Sequence, residues 1–215
     1  MRISNHRYSR DRSRYDLAYG MLQLGARPKT VTAWTQLTQY QIRNVTDEYG
    51  ELLERHRGRP PKSIAWFWRE GRRQQEGAIL ASLFVFMKAV PREVTRDEDY
   101  PWRSVPRGVR VCVVYQEYAR LIPHPRISFE YALLLVRELV RGGAVTLGRC
   151  SECNGAMLID PLSAPPHMCV ACRSKRRHEV AVSGQCRDDQ GARRGSKSSQ
   201  RKEHREIRQQ VSLFD

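Results

Sequence analysis

The chain has 215 residues, 40% of them hydrophobic and 28% charged, and its 38 Lys and Arg against 23 Asp and Glu give a formal net charge of +15. That length suffices for one medium domain and a small one, and so basic a surface attracts phosphate polymers and anionic surfaces. No apolar run approaches the roughly 18 residues of a membrane span, and the Arg-rich start lacks the apolar stretch of a secretory signal.

Residues 1–14, with Arg2, Arg7, Arg10, Arg12 and Arg14 against Asp11, read as a disordered basic arm, either solvated or in contact with phosphates. From residue 15 a helical domain is expected to run to 143. Leu17, Met21 and Leu24 recur on one helical face over 15–25. Gly25 ends that helix and Pro28 suits the first turn of the next.

Residues 28–54 predict a helix-turn-helix-like pair, a short helix over 29–35 and a longer one over 39–54. Thr38 and Gln41 stand in the T-x-x-Q spacing of a capping box, in which each side chain satisfies a backbone N–H of the other. Ile42, Val45, Tyr49 and Leu52 form the inward stripe. Thr38, Gln39, Gln41, Arg43 and Asn44 then lie at the N-terminal end of the second helix, where a helix-turn-helix presents side chains to the major groove. Arg forks onto guanine, Gln and Asn onto adenine. Gln36 stands at the turn position usually held by Gly, and Thr32 where a small residue is expected. An ordinary helical hairpin with a polar exterior is the alternative.

Residues 55–63 form a basic loop. Its Arg57-Gly-Arg59-Pro60 is the core of a minor-groove hook, and otherwise a solvated linker. Trp66, Phe67 and Trp68 read as core aromatics. The run 78–87 reads as a buried helix, with Gly71 and Gly77 bracketing the break before it. An acidic surface loop is expected over 91–108, then helices over 109–122 and 127–142. Ser128 is placed to cap the second of these, Gly142 and Gly143 to end it, and Tyr131, Leu134, Leu135 and Leu139 to be buried. Cys112 reads as a small core residue.

The zinc-binding segment is expected over 144–180, opening with a short strand at 144–147. Cys150-x2-Cys153, fifteen intervening residues, then Cys169-x2-Cys172 has the spacing of a four-cysteine zinc site. Four thiolates close a tetrahedron around one Zn2+ and leave no position for substrate, so the metal is structural. Two disulfides or four unrelated thiols are the other readings. Gly155 is placed to turn the chain after the first pair, and Pro165 and Pro166 to stiffen the approach to the second. Arg149, Arg173 and Lys175 flank the ligands and offset their charge, and His167 beside Cys169 is a spare ligand. The chain ends in a basic, largely disordered tail over 181–215 that holds Cys186; just before it, Lys175, Arg176 and Arg177 are candidate phosphate contacts. No Walker, Rossmann, zincin or nucleophile-elbow motif is present, so no enzyme is expected.

Several segments come in a familiar order: Leu24-Gly-Ala-Arg27, the helix pair with Gln36-Leu37, Arg57-Gly with Pro60-Pro-Lys62, Trp66-Phe67, Ala81-Ser-Leu-Phe84, Leu135-Val-Arg137, the two C-x2-C pairs and Lys175-Arg-Arg177. Over about residues 15–178 the series resembles the bacterial flagellar transcriptional activator FlhC family. The resemblance implies a mainly α fold with a zinc-binding end, ligated by Cys150, Cys153, Cys169 and Cys172. It implies a cytoplasmic DNA-binding activator that forms a heterohexamer with an FlhD-like partner, binds promoter DNA upstream of flagellar operons and recruits RNA polymerase, with no role at a membrane. A related activator of transfer genes on conjugative elements, an RNA-binding zinc-ribbon protein and a module bridging a partner to polymerase are the alternatives.

Overall fold

A computed structural model describes residues 5–49, 58–91 and 102–179. The chain divides into two compact units, Met1–Cys169 and Val170–Asp215. Arg57, Leu52, the acidic residues of 93–99, Cys186 and the tail beyond 179 lie outside the described residues.

The first unit is mainly helical: α1 (Asn5–Gln23), α2 (Pro28–Thr35), α3 (Gln39–Glu48), a 3-10 turn (Ile64–Trp68), α4 (Gly71–Phe86), α5 (Val105–Leu121) and α6 (Phe129–Arg141), closed by an antiparallel hairpin of β1 (Thr146–Arg149) and β2 (Ala156–Ile159). α1 lies against α2, α3 and α5, and α5 in turn touches α4 and α6. No described helix is long and apolar enough to cross a membrane.

Several boundaries differ from the sequence reading, each for a physical reason. α1 starts at Asn5, well inside the expected disordered arm. Extending a helix already anchored by buried Leu17, Ala18 and Met21 costs little compared with nucleating one. Ion pairs Arg12–Asp16 and Asp11–Arg14, four and three residues apart, add a few tenths of a kcal/mol each. α5 begins at Val105 because Ser104 caps it, its hydroxyl accepting the Arg107 N–H. Gly77 lies inside α4 and does not mark a break. It is needed for another reason: a Cβ there would sit 2.8 Å from Leu158 Cδ1 and 2.9 Å from Phe67 Cδ1. Its bare backbone is where β2 presses onto α4. Ser128 precedes α6 but makes no side-chain cap, while Gly142 ends that helix with φ 63 as expected.

The core contains the expected aromatics. Phe67 is fully buried, and Trp66 stacks on Tyr131 with ring centroids 3.9 Å apart. Cys112 is buried, and burial pushes its thiol up to about 12, so it stays protonated. The hairpin belongs to this core: Val145 and Leu158 are fully buried in the cluster built by the helices. The boundary expected at 143/144 therefore does not divide the fold. β2, an Ala-Met-Leu-Ile run, is a strand the sequence does not announce.

Two buried carboxylates hold the helices in register. Glu76 on α4 accepts from Tyr118 Oη (2.6 Å), the Arg126 N–H (2.8 Å) and Arg72 Nε (2.8 Å). Glu130 on α6 accepts from the Arg27 N–H (2.7 Å) and from Thr30 Oγ1 (2.8 Å), so α6 caps the start of α2 from across the fold. A Glu130→Ala variant leaves these donors without their acceptor and is expected to lose about 2–3 kcal/mol of stability. Urea titration checks it; a loss under about 1 kcal/mol would mean that water replaces the carboxylate without cost.

Of the second unit, the helix 170–179 is described; it falls in the segment that the sequence gives to the zinc-binding end. It carries Lys175, Arg176 and Arg177, all exposed.

Candidate metal centre and nucleic-acid interface

The hairpin positions the first cysteine pair. Cys150 follows β1 directly, and its N–H donates to the Gly155 carbonyl (2.9 Å) while its own carbonyl accepts from Asn154 (3.0 Å). The chain reverses at Asn154, which takes the left-handed conformation with φ 57. The turn expected of Gly155 thus falls one residue earlier, as Asn tolerates this region. Gly155 instead makes room for sulfur: a Cβ there would meet Cys153 Sγ at 3.3 Å. The second pair approaches through Pro165 and Pro166, and the His167 carbonyl accepts the Ser151 N–H at 2.9 Å, joining the two loops.

The Sγ atoms of Cys150, Cys153, Cys169 and Cys172 all lie within 4.8 Å of one another. Cys153 and Cys169 sulfurs are 3.7 Å apart. A tetrahedron with arms of about 2.3 Å needs edges of about 3.8 Å, whereas a disulfide needs about 2.05 Å. The spacing therefore fits a metal ion and excludes that disulfide; none of the four is in a disulfide. Backbone hydrogen bonds from Cys153 and then Cys169 outweigh burial and draw the Cys150 thiol down to about 6. Its sulfur accepts the Cys169 N–H at 3.2 Å. Such bonds favour the thiolate, the form that ligates metal. His167 is outside the sulfur cluster; its Nδ1 lies 3.4 Å from Ser163 Oγ. The four sulfurs are thus placed so that they could hold a metal ion, and a tetrahedron of four thiolates has no open coordination position.

The helix pair is formed, but α3 ends at Glu48 with Tyr49 as its C-cap, short of the 54 that the sequence suggests. α2 ends at Gln36, left-handed with φ 61, whose N–H reaches the Thr32 carbonyl. A non-glycine residue there costs roughly 1–2 kcal/mol, and Arg14 of α1 holds its side chain at 3.2 Å. Thr32 fits inside, although its hydroxyl finds no hydrogen-bond partner. The capping box is complete: Thr38 Oγ1 accepts the Gln41 N–H and Gln41 Oε1 accepts the Thr38 N–H. Ile42 and Val45 face inward, while Tyr49 is only partly covered and packs at a tilt against Tyr19, ring centroids 4.7 Å apart.

Among the candidate base contacts, Gln39, Arg43 and Asn44 are exposed. Thr38 and Gln41 are occupied with each other, which makes them positioning groups. Tyr40, absent from the candidates that the sequence supplies, is 71% exposed and shares a face with Arg43, Asn44 and Asp47 by the i, i+3, i+4, i+7 rule. An aromatic residue left in water on a helix of otherwise ordered burial was the available signal. Arg59 is exposed in the loop before the 3-10 turn.

No known family model matches this chain, and comparison with curated proteins finds no match.

Proposed function

We propose that the chain is a DNA-binding transcriptional activator of FlhC-like build, in which one structural Zn2+ is held by Cys150, Cys153, Cys169 and Cys172. The observation that carries the reading is the α2–α3 pair: a three-residue turn, a closed capping box and an exposed face bearing Tyr40, Arg43 and Asn44. A helix fixed this firmly at its N-terminus, on a chain of net charge +15, has what major-groove entry requires. Zinc is favoured over other metals by the all-thiolate donor set. The bound ion supplies structure and no reaction chemistry.

In this reading Arg43, Asn44 and Gln39 contact base edges, Tyr40 fills against them, and Arg59, Lys175, Arg176 and Arg177 neutralise phosphates. The protein acts in the bacterial cytoplasm with an FlhD-like partner in a heterohexamer, at promoters of flagellar operons, and brings RNA polymerase to them.

The test is direct. Selection of duplexes from a random pool, followed by anisotropy titration, is expected to yield a preferred sequence bound at least tenfold better than scrambled duplex. Arg43→Ala is expected to lower that ratio by about 1–3 kcal/mol while changing scrambled-DNA affinity little. Equal loss on both duplexes would make Arg43 a phosphate contact. Preference for RNA over any duplex would favour the RNA-binding class instead.

A further inference from the structure

A groove of about 210 Å³ opens between α2, the Pro60-Pro61-Lys62 segment and α6. Four of its lining side chains are cations: Lys29, Lys62, Arg103 and Arg137. Sequence alone gives Lys29, Arg103 and Arg137 no role, and Lys62 only a place in a basic loop. Arg103 lies over the Trp102 ring, its Cζ 4.2 Å from the centroid, which fixes the guanidinium in place. Arg137 donates to the Lys62 carbonyl at 3.4 Å and pairs with Glu138. Among the described residues Glu130 is the one carboxylate in the lining, and it is engaged by Arg27 and Thr30. Among the described residues Lys29, Lys62 and Arg103 have no carboxylate partner. Partial desolvation beside Trp102, then the charges of Arg137 and Arg141, hold the Arg103 guanidinium below its ordinary pKa. Like charges brought together on rigid supports are stabilised by an anion placed among them.

We propose that this groove binds a phosphate group, and that on duplex DNA the group is a phosphate of the backbone. The second clause rests on the DNA-binding reading, because in a helix-turn-helix the first helix crosses the backbone while the second enters the major groove. Here the groove is built on that first helix, α2. Arg103, planar and pre-oriented by Trp102, forks onto two phosphate oxygens, and Lys29 and Lys62 act as point charges beside it.

The test is an Arg103→Gln/Lys62→Gln variant of the full chain, with each single variant alongside in case the double one fails to fold. All of them change exposed side chains, so melting temperatures close to wild type are expected. On duplex DNA the slope of log K against log salt is expected to shrink by about 0.9 for each phosphate that is no longer neutralised. Affinity should fall by the same factor on preferred and scrambled sequences. In parallel, inorganic pyrophosphate is expected to raise the wild-type melting temperature and to leave that of the variant unchanged. If the wild type ignores duplex DNA, the DNA-binding reading fails. Selective stabilisation by pyrophosphate would then still support the groove, with a free phosphorylated molecule as its ligand. Wild type and variants alike in both salt slope and pyrophosphate response would overturn the proposal.

Discussion

On the proposed zinc reading, stripping the ion from the purified protein, or replacing Cys150 by Ser, is expected to lower the melting temperature by about 10 °C or more. A four-thiolate zinc site contributes on the order of 10–16 kcal/mol of apparent binding free energy. For a chain of this size each kcal/mol moves the melting point by roughly 2–4 °C. The loss should be local at first. The amides of Cys150, Ser151, Asn154 and Cys169 are hydrogen-bonded within the two cysteine loops. They should lose protection against hydrogen exchange together. The strands should fray but stay, because Val145 and Leu158 remain buried among the helices, at about 1.5–3 kcal/mol each. Native mass spectrometry should count one zinc per chain before chelation and none after. A metal-free protein with unchanged protection in both loops would end the structural-zinc reading. Cys112, buried and held protonated, should stay unreactive toward thiol reagents in either state.

What was legible in the sequence is what chemistry encodes over a few residues. The C-x2-C pairs announce their sulfur cluster because each pair closes a loop within one turn of chain. Thr38 and Gln41 announce their capping box because both bonds lie within three residues. Gly142 marks the end of α6 for the same reason. Features that depend on distant chain segments were not legible. Glu130 is bonded to Thr30, 100 positions away, and nothing near either residue signals it. Gly77 looks like a helix breaker until Leu158 is seen lying against it. The first half of α1 is polar and basic, and its helix is inherited from the buried half that follows. The candidate DNA face lies between these cases. The sequence places Gln39, Arg43 and Asn44 near the helix start and already commits Gln41 to the cap, but only the fold leaves Tyr40 exposed beside them.

Glu76 is the position where a single substitution is expected to cost the helical unit most. The residue is 4% exposed, and its carboxylate accepts three hydrogen bonds, from α5, from the segment leading to α6 and from Arg72 on its own helix. Removing one partner of such a buried charged network typically costs about 3–5 kcal/mol, so Glu76→Ala should approach the stability limit of an ordinary domain. Burial alone would raise the Glu76 pKa. The bonds from Tyr118, the Arg126 N–H and Arg72 outweigh burial and set it below the ordinary 4.5. Tyr118 is displaced upward, by burial first and by Glu76 second, and so remains a donor. The sign of the pH effect follows from the lowered carboxyl. Its stabilisation is fully present above the unfolded value of 4.5 and is lost as pH falls through the folded pKa. Melting curves recorded between pH 7 and pH 3 should therefore drop below about pH 4.5 more steeply for wild type than for Glu76→Gln. The amide keeps one acceptor oxygen but cannot titrate, so the difference between the two slopes isolates this one group. Parallel curves would place the acid sensitivity in other carboxylates and reduce Glu76 to a neutral strut.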